Sequence, residues 1–208
     1  MITQLECYVK SPKALLIFAH GAGANMHHVY LDNITRLLNE ENINVLRFNF
    51  PYMDKRAQDG KKYPPNRMPI LLECYQEILA RCDKSLPLFI GGKSMGGRVA
   101  ATLTKDHQAN IKGVVCLGYP FHPTKKPEKL RLEPLQETKK PILILQGDRD
   151  SLGNKMEIEN YQISSLCQVT YFEDGDHDLK PRVKSGFTQQ QHLKQAVDAI
   201  SRFIDEKS

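Results

Sequence analysis

A chain of 208 residues with 40% hydrophobic and 25% charged residues has the composition of an ordinary globular protein with a sizeable core. Its formal net charge is +5, and no apolar segment approaches the ~20 residues that a membrane span needs. The five cysteines (Cys7, Cys74, Cys82, Cys116 and Cys167) are scattered and odd in number, which leaves no disulfide framework. Reduced, mostly buried thiols in a cytoplasmic protein are expected. Residues 1–7 lack both a basic start and a long apolar stretch, so no secretory signal is expected there.

In chain order, apolar runs of strand length fall at 5–9, 14–19, 43–48, 88–90, 114–117, 142–145 and 169–172. Most are continuous rather than alternating, as in a parallel sheet covered on both faces. The stretch before residue 14 has room for one strand of a leading hairpin. Between the runs lie helical patterns. Met68, Leu71, Leu72, Tyr75, Ile78, Leu79 and Cys82 follow i, i+3, i+4, i+7 spacing, and Leu193, Ala196, Val197, Ile200, Phe203 and Ile204 repeat the device. Strand–helix alternation implies βαβ units. There is no repeat, linker or low-complexity tract, so the expectation is one α/β domain over 1–208, with about seven mostly parallel strands, helices on both faces and no substantial cap.

The run 14–19 leads into His20-Gly21-Ala22-Gly23, a loop able to offer a backbone N–H to an oxyanion. His27 and His28 follow and are expected to begin a helix; His20 is expected to brace the loop by hydrogen bonding. The run 88–90 leads into Gly92-Lys93-Ser94-Met95-Gly96. A G-x-S-x-G between strand and helix is a nucleophile elbow, a turn sharp enough to strain the serine backbone. Gly92 and Gly96 supply the missing Cβ atoms, and Gly91 and Gly97 are expected to add slack. The run 142–145 ends in Gln146-Gly147-Asp148-Arg149-Asp150, and the segment 167–172 ends in Glu173-Asp174-Gly175-Asp176-His177-Asp178. Serine, acid and histidine thus arrive in α/β-hydrolase order, each just past a predicted strand.

These residues suit nucleophilic acyl chemistry. Ser94 needs a base, and His177 is the candidate. Asp148 and Asp150 compete as the acid that would orient it. Met95 and Ala22 (or Gly23) would supply oxyanion N–H groups. Gly23, Lys93 and Tyr119 are the expected substrate-side residues. His107 and His192 on predicted helices, and His122 in a loop, are expected in surface or packing roles. Neither a metal nor a cofactor is expected: a cluster with His20, His27 and His28 lacks a carboxylate or cysteine at ligand spacing.

At His20-Gly21-Ala22-Gly23-Ala24, Gly92-Lys93-Ser94-Met95-Gly96-Gly97-Arg98, Gln146-Gly147-Asp148-Arg149-Asp150 and Asp176-His177-Asp178-Leu179 the chain resembles the α/β-hydrolase superfamily. The fragments are most similar to a small group of bacterial hydrolases described as dienelactone-hydrolase-like. The same domain occurs in a testis-expressed protein and in a subunit of a histone-acetyltransferase complex. The resemblance implies that the acid is the one three residues after Gly147, namely Asp150. Dienelactone hydrolases use a cysteine nucleophile and this chain has Ser94, so the resemblance carries the fold and not that substrate.

Three loops expected around the site, 51–69, 119–131 and 178–186, hold twelve basic and four acidic residues in a chain of net +5. That concentration suggests an anionic ester or thioester; a solvated basic rim is the alternative. Tyr52, Tyr63 and Tyr119 lie among these loops, but no nucleic-acid-binding module accompanies them, and neither nucleic acid nor membrane is expected as a partner. Residues 119–140, broken by Pro120, Pro123, Pro127 and Pro134, cannot build a cap, and 52–69 can form only a partial flap. The leading expectation is a serine hydrolase with a small-molecule substrate, a monomer or homodimer, with a shallow open site. A catalytically idle binding or scaffold protein of the same fold is the alternative, and a C–C or peptide bond hydrolase would use the same three residues.

Overall fold

The computed structural model describes residues 2–105 and 110–208; His107 lies outside the described residues. Among the described residues, seven strands form one sheet: β1 (Gln4–Cys7), β2 (Ala14–Ala19), β3 (Ile43–Phe48), β4 (Leu88–Lys93), β5 (Ile111–Leu117), β6 (Ile142–Gly147) and β7 (Cys167–Phe172). Their spatial order is β1-β3-β2-β4-β5-β6-β7. Only β1, at the edge, runs antiparallel, against β3; every other pairing is parallel. The continuous apolar runs follow from burial on both faces. Leu15, Ile17, Ile90, Cys116 and Ile144 enter one core, and Leu16, Phe18, Phe89, Val115 and Leu143 enter the other, as the two-residue period of a strand requires.

Helices α1 (Val29–Glu40) and α7 (Gln189–Lys207) cover the second core. The first is covered chiefly by α2 (Pro51–Asp59), α3 (Met68–Arg81) and α4 (Met95–Leu103), with the one-turn helices α5 (Glu133–Gln136) and α6 (Lys155–Ile158) beyond them. His28 caps α1 by accepting from the Tyr30 N–H, and Thr188 with Gln191 forms a capping box on α7.

The segment expected to make a flap differs. Pro51 at the first turn and Gly60 in a left-handed C-cap bound a regular helix, α2, with Tyr52 and Met53 buried. It is docked because its apolar side chains enter the core. The strands also run further than their apolar cores suggest, β4 to Lys93 and β6 to Gly147, so the motif residues stand at the ends of regular ladders.

Candidate active site

Ser94 joins β4 to α4 with φ 53° and ψ −116°, a conformation that a non-glycine residue adopts only under strain. The turn closes because Gly96 lies against β2: a Cβ there would stand 2.5 Å from the Ala19 carbonyl oxygen. Gly91 and Gly97 do not add slack. Added Cβ atoms would meet the Val115 oxygen at 2.3 Å and the Gly92 oxygen at 2.8 Å, so both glycines let backbone approach backbone. Met95 is the first residue of α4, and its amide has no carbonyl partner within the helix.

Asp150 follows β6 and is fully buried. Its carboxylate accepts from His177 Nδ1 at 2.7 Å, from Gln146 Nε2 at 2.9 Å and from the Leu152 N–H at 2.8 Å. A carboxylate only accepts, so in the neutral imidazole the proton is held on Nδ1 and the lone pair lies on Nε2. Asp148 takes no part in this contact; its main chain is tied to Phe172 and Lys155. His177 reaches Asp150 because Gly147 lets the loop after β7 lie on it: a Cβ on Gly147 would stand 2.3 Å from the oxygens of Gly175 and Asp176. Among the described hydrogen bonds none joins Ser94 Oγ to His177, yet both line one cleft of ≈ 340 Å³. Such contacts commonly tighten only on substrate binding.

The loop after β2 faces them. Phe50 N–H donates to His20 Nε2 at 3.0 Å, so the proton sits on Nδ1, which donates to the Gly21 carbonyl at 2.8 Å. Burial lowers the His20 pKa to about 4, which keeps the ring neutral in this role. Tyr52 Oη donates to the Ala22 carbonyl at 2.9 Å from α2. Ala22 and Gly23 therefore line the cleft on a braced backbone.

Two expected substrate-side residues do other work. Tyr119 is fully buried, packs edge-on against Phe121 and donates its hydroxyl to the Arg131 carbonyl at 2.8 Å. Its ring belongs to the core because the chain after β5 turns inward there. Lys93 borders the cleft, but its ammonium donates to the His177 carbonyl at 2.8 Å and lies 3.2 Å from Asp178 Oδ1. Burial lowers its pKa, and Asp178 opposes that shift. Lys93 thus ties the elbow to the histidine loop.

The basic loops are sorted by their partners. Arg182 is paired with Asp174, Lys55 lies over the Tyr63 ring, and Arg56 donates to the Tyr63 carbonyl. Arg98 and Arg131 instead line a second cleft, of ≈ 410 Å³, which also opens at Ser94. Gln146 and Arg98 were not foreseen as site residues. The legible signals are a polar residue closing an apolar strand, and an arginine one helical turn beyond Ser94.

A family model described as an alpha/beta hydrolase domain matches residues 12–205. The chain belongs to that family. A Schizosaccharomyces pombe protein named "Putative monoglyceride lipase" is 26% identical over 179 residues, covering 78% of this chain and 47% of that protein. The chain therefore spans about half the length of that curated relative. Among solved structures, dienelactone hydrolase from Anabaena variabilis ATCC 29413 is similar with a TM-score of 0.74 at 16% identity, over 99% of this chain and 92% of that one. Monoacylglycerol lipase of Paleococcus ferrophilus is similar with a TM-score of 0.71 at 14% identity, over 100% of both chains. At those identities the likeness is one of fold. Among the described residues, no helix is long and apolar enough to cross a membrane.

Proposed function

We propose that the protein is a serine hydrolase acting on a small ester, thioester or related acyl substrate, with Ser94 as nucleophile, His177 as base and Asp150 as its orienting acid. The observation that carries this reading is the part-buried Asp150–His177 hydrogen bond in a cleft shared with a serine on a strained strand-to-helix turn. The names of similar proteins, which include lipases and a dienelactone hydrolase, support the reaction class.

In this mechanism Ser94 Oγ attacks the acyl carbon while its proton passes to His177 Nε2. The carbonyl electron pair moves onto oxygen, and the oxyanion is held by the N–H groups of Met95 and Ala22. Collapse breaks the bond to the leaving oxygen or sulfur, which takes the proton from His177. Water then repeats the sequence on the acyl-enzyme, releasing the acid and restoring Ser94. Asp150 stabilises the imidazolium formed in each half.

Treatment with a fluorophosphonate probe tests this reading, with intact mass as the readout. One adduct per chain is expected in the wild type and none in Ser94→Ala. A folded wild-type protein that takes no label sinks it and shifts weight to a hydrolase fold used only for binding.

A further inference from the structure

The cleft on the α4 side of Ser94 holds two arginines from distant parts of the chain. Arg98 stands on α4, one turn beyond the nucleophile, and Arg131 on the segment between β5 and α5. They are close enough that Arg98 helps lower the pKa of Arg131, after burial. Among the described residues neither guanidinium has a carboxylate within salt-bridge distance, and Arg98 Nε is buried without a hydrogen-bond partner. Glu133, whose carboxyl feels the charge of Arg98, is already engaged by Lys105. Two cations lining one partly buried cleft repel one another, and an unpartnered buried guanidinium N–H is costly.

The Arg131 backbone is nonetheless held in place. Its N–H donates to the Phe121 carbonyl at 2.7 Å, and its own carbonyl accepts from the Tyr119 hydroxyl at 2.8 Å. That is where the buried Tyr119 has its effect. The walls around the pair are largely apolar, including Pro65, Met68, Leu71 and Leu152. The other cleft at Ser94, lined by His28, Tyr30 and Leu31, has no arginine among the described residues, and its cation, Lys93, is paired with Asp178.

We infer that Arg98 and Arg131 form an oxyanion subsite that selects substrates with a carboxylate or phosphate on a short apolar arm running from the scissile carbonyl. The inference rests on the hydrolase reading of Ser94 and names its substrate class. Planar guanidinium forks match either oxyanion bidentately, and the anion would supply the counter-charge that the fold leaves out. The arm lies along the apolar wall, and the uncharged portion occupies the cleft beside Tyr30.

The test compares kcat/KM for 4-nitrophenyl hemiadipate, 4-nitrophenyl 5-phosphonopentanoate and uncharged 4-nitrophenyl hexanoate. At least a tenfold preference for one charged ester is expected, and which of the two is favoured tells carboxylate from phosphate. Arg131→Gln, and separately Arg98→Gln, should collapse that ratio about tenfold, with Arg131→Lys restoring only part of it. Circular dichroism melting and fluorophosphonate labelling confirm that each variant is folded with its serine intact. A ratio near one in the wild type, or one unmoved by either substitution in folded protein, overturns the subsite.

Binding separates this failure from failure of the hydrolase reading. Calorimetric titration of Ser94→Ala with monomethyl adipate and with methyl 5-phosphonopentanoate needs no turnover. Binding of either that weakens at least tenfold on adding Arg131→Gln supports the subsite even if wild-type Ser94 takes no label. Absence of binding by both overturns it even if Ser94 labels fully.

Discussion

At the N-terminal ends of β4 and β5, Leu79, Lys84, Leu88 and Ile111 line a cavity of ≈ 310 Å³, and an adjoining one measures ≈ 460 Å³. At the C-terminal ends, clefts of ≈ 340 and ≈ 410 Å³ flank Ser94. The two ends of the sheet are alike in volume and differ in what was spent to build them. The Ser94 end contains a non-glycine residue at φ 53°, a fully buried aspartate, a buried neutral histidine and two arginines that, among the described residues, have no carboxylate within salt-bridge distance. The cavities at the other end are lined by apolar side chains and surface polar ones. Strain and buried charge, which only a closely determined structure sustains, mark a reactive site better than room does.

The sharpest way to break this comparison is Asp150→Asn, which preserves shape and removes the acceptor that fixes the His177 tautomer. Turnover of an accepted ester should fall on the order of 10⁴-fold with little change in melting temperature. A loss below tenfold would mean that His177 does not need its partner.

Leu88→Ala probes the opposite end. Leu88 is 3% exposed and borders both cavities there. Urea unfolding should show a loss of about 3 kcal/mol, while kcat stays within about twofold of wild type. Inactivation of the folded variant would show that the two ends are coupled.

His20 gives the Ser94 end a pH signature. The unfolded ring takes up a proton near pH 6.5, whereas the buried ring stays neutral down to about 4. Stability from this group is therefore complete above 6.5 and is lost as pH falls from 6.5 towards 4, on the order of 3 kcal/mol in all. Unfolding curves at pH 7 and pH 4.5 should diverge less for His20→Gln than for wild type. Equal divergence removes His20 as the cause.

The smallest effect is expected from Lys93→Met, which fills the same space without the ammonium that holds the His177 carbonyl. With His177 as the proposed base, its displacement should lower kcat by up to about a hundredfold, with KM and melting temperature nearly unchanged. A rise in KM at constant kcat would return Lys93 to the substrate-side role expected from its place beside Ser94.

Much of this molecule is legible from residue order alone. The apolar runs of β2 to β6 locate those strands because a doubly covered sheet tolerates little polarity, while β1 and β7 at the edges are only partly buried. Ser94, Ala22, Asp150 and His177 stand where strand ends put them. Glycine spacing around Ser94 announces the elbow because close backbone approach forbids a Cβ at Gly96. The choice of Asp150 over Asp148 came from resemblance, and the hydrogen bond to His177 is what distinguishes them in space.

Partnership was not legible. Nothing local tells that Lys93 turns to the His177 loop, that Tyr119 turns inward to hold Arg131, or that α2 docks to brace Ala22. Nor could counting charges separate Arg182, neutralised by Asp174, from Arg131, which no described carboxylate meets. A side chain's chemistry is written at its own position, but its burial and counter-ion come from segments tens of residues away. Those are brought together only when the sheet closes, and there the tertiary structure decided what each charge is for.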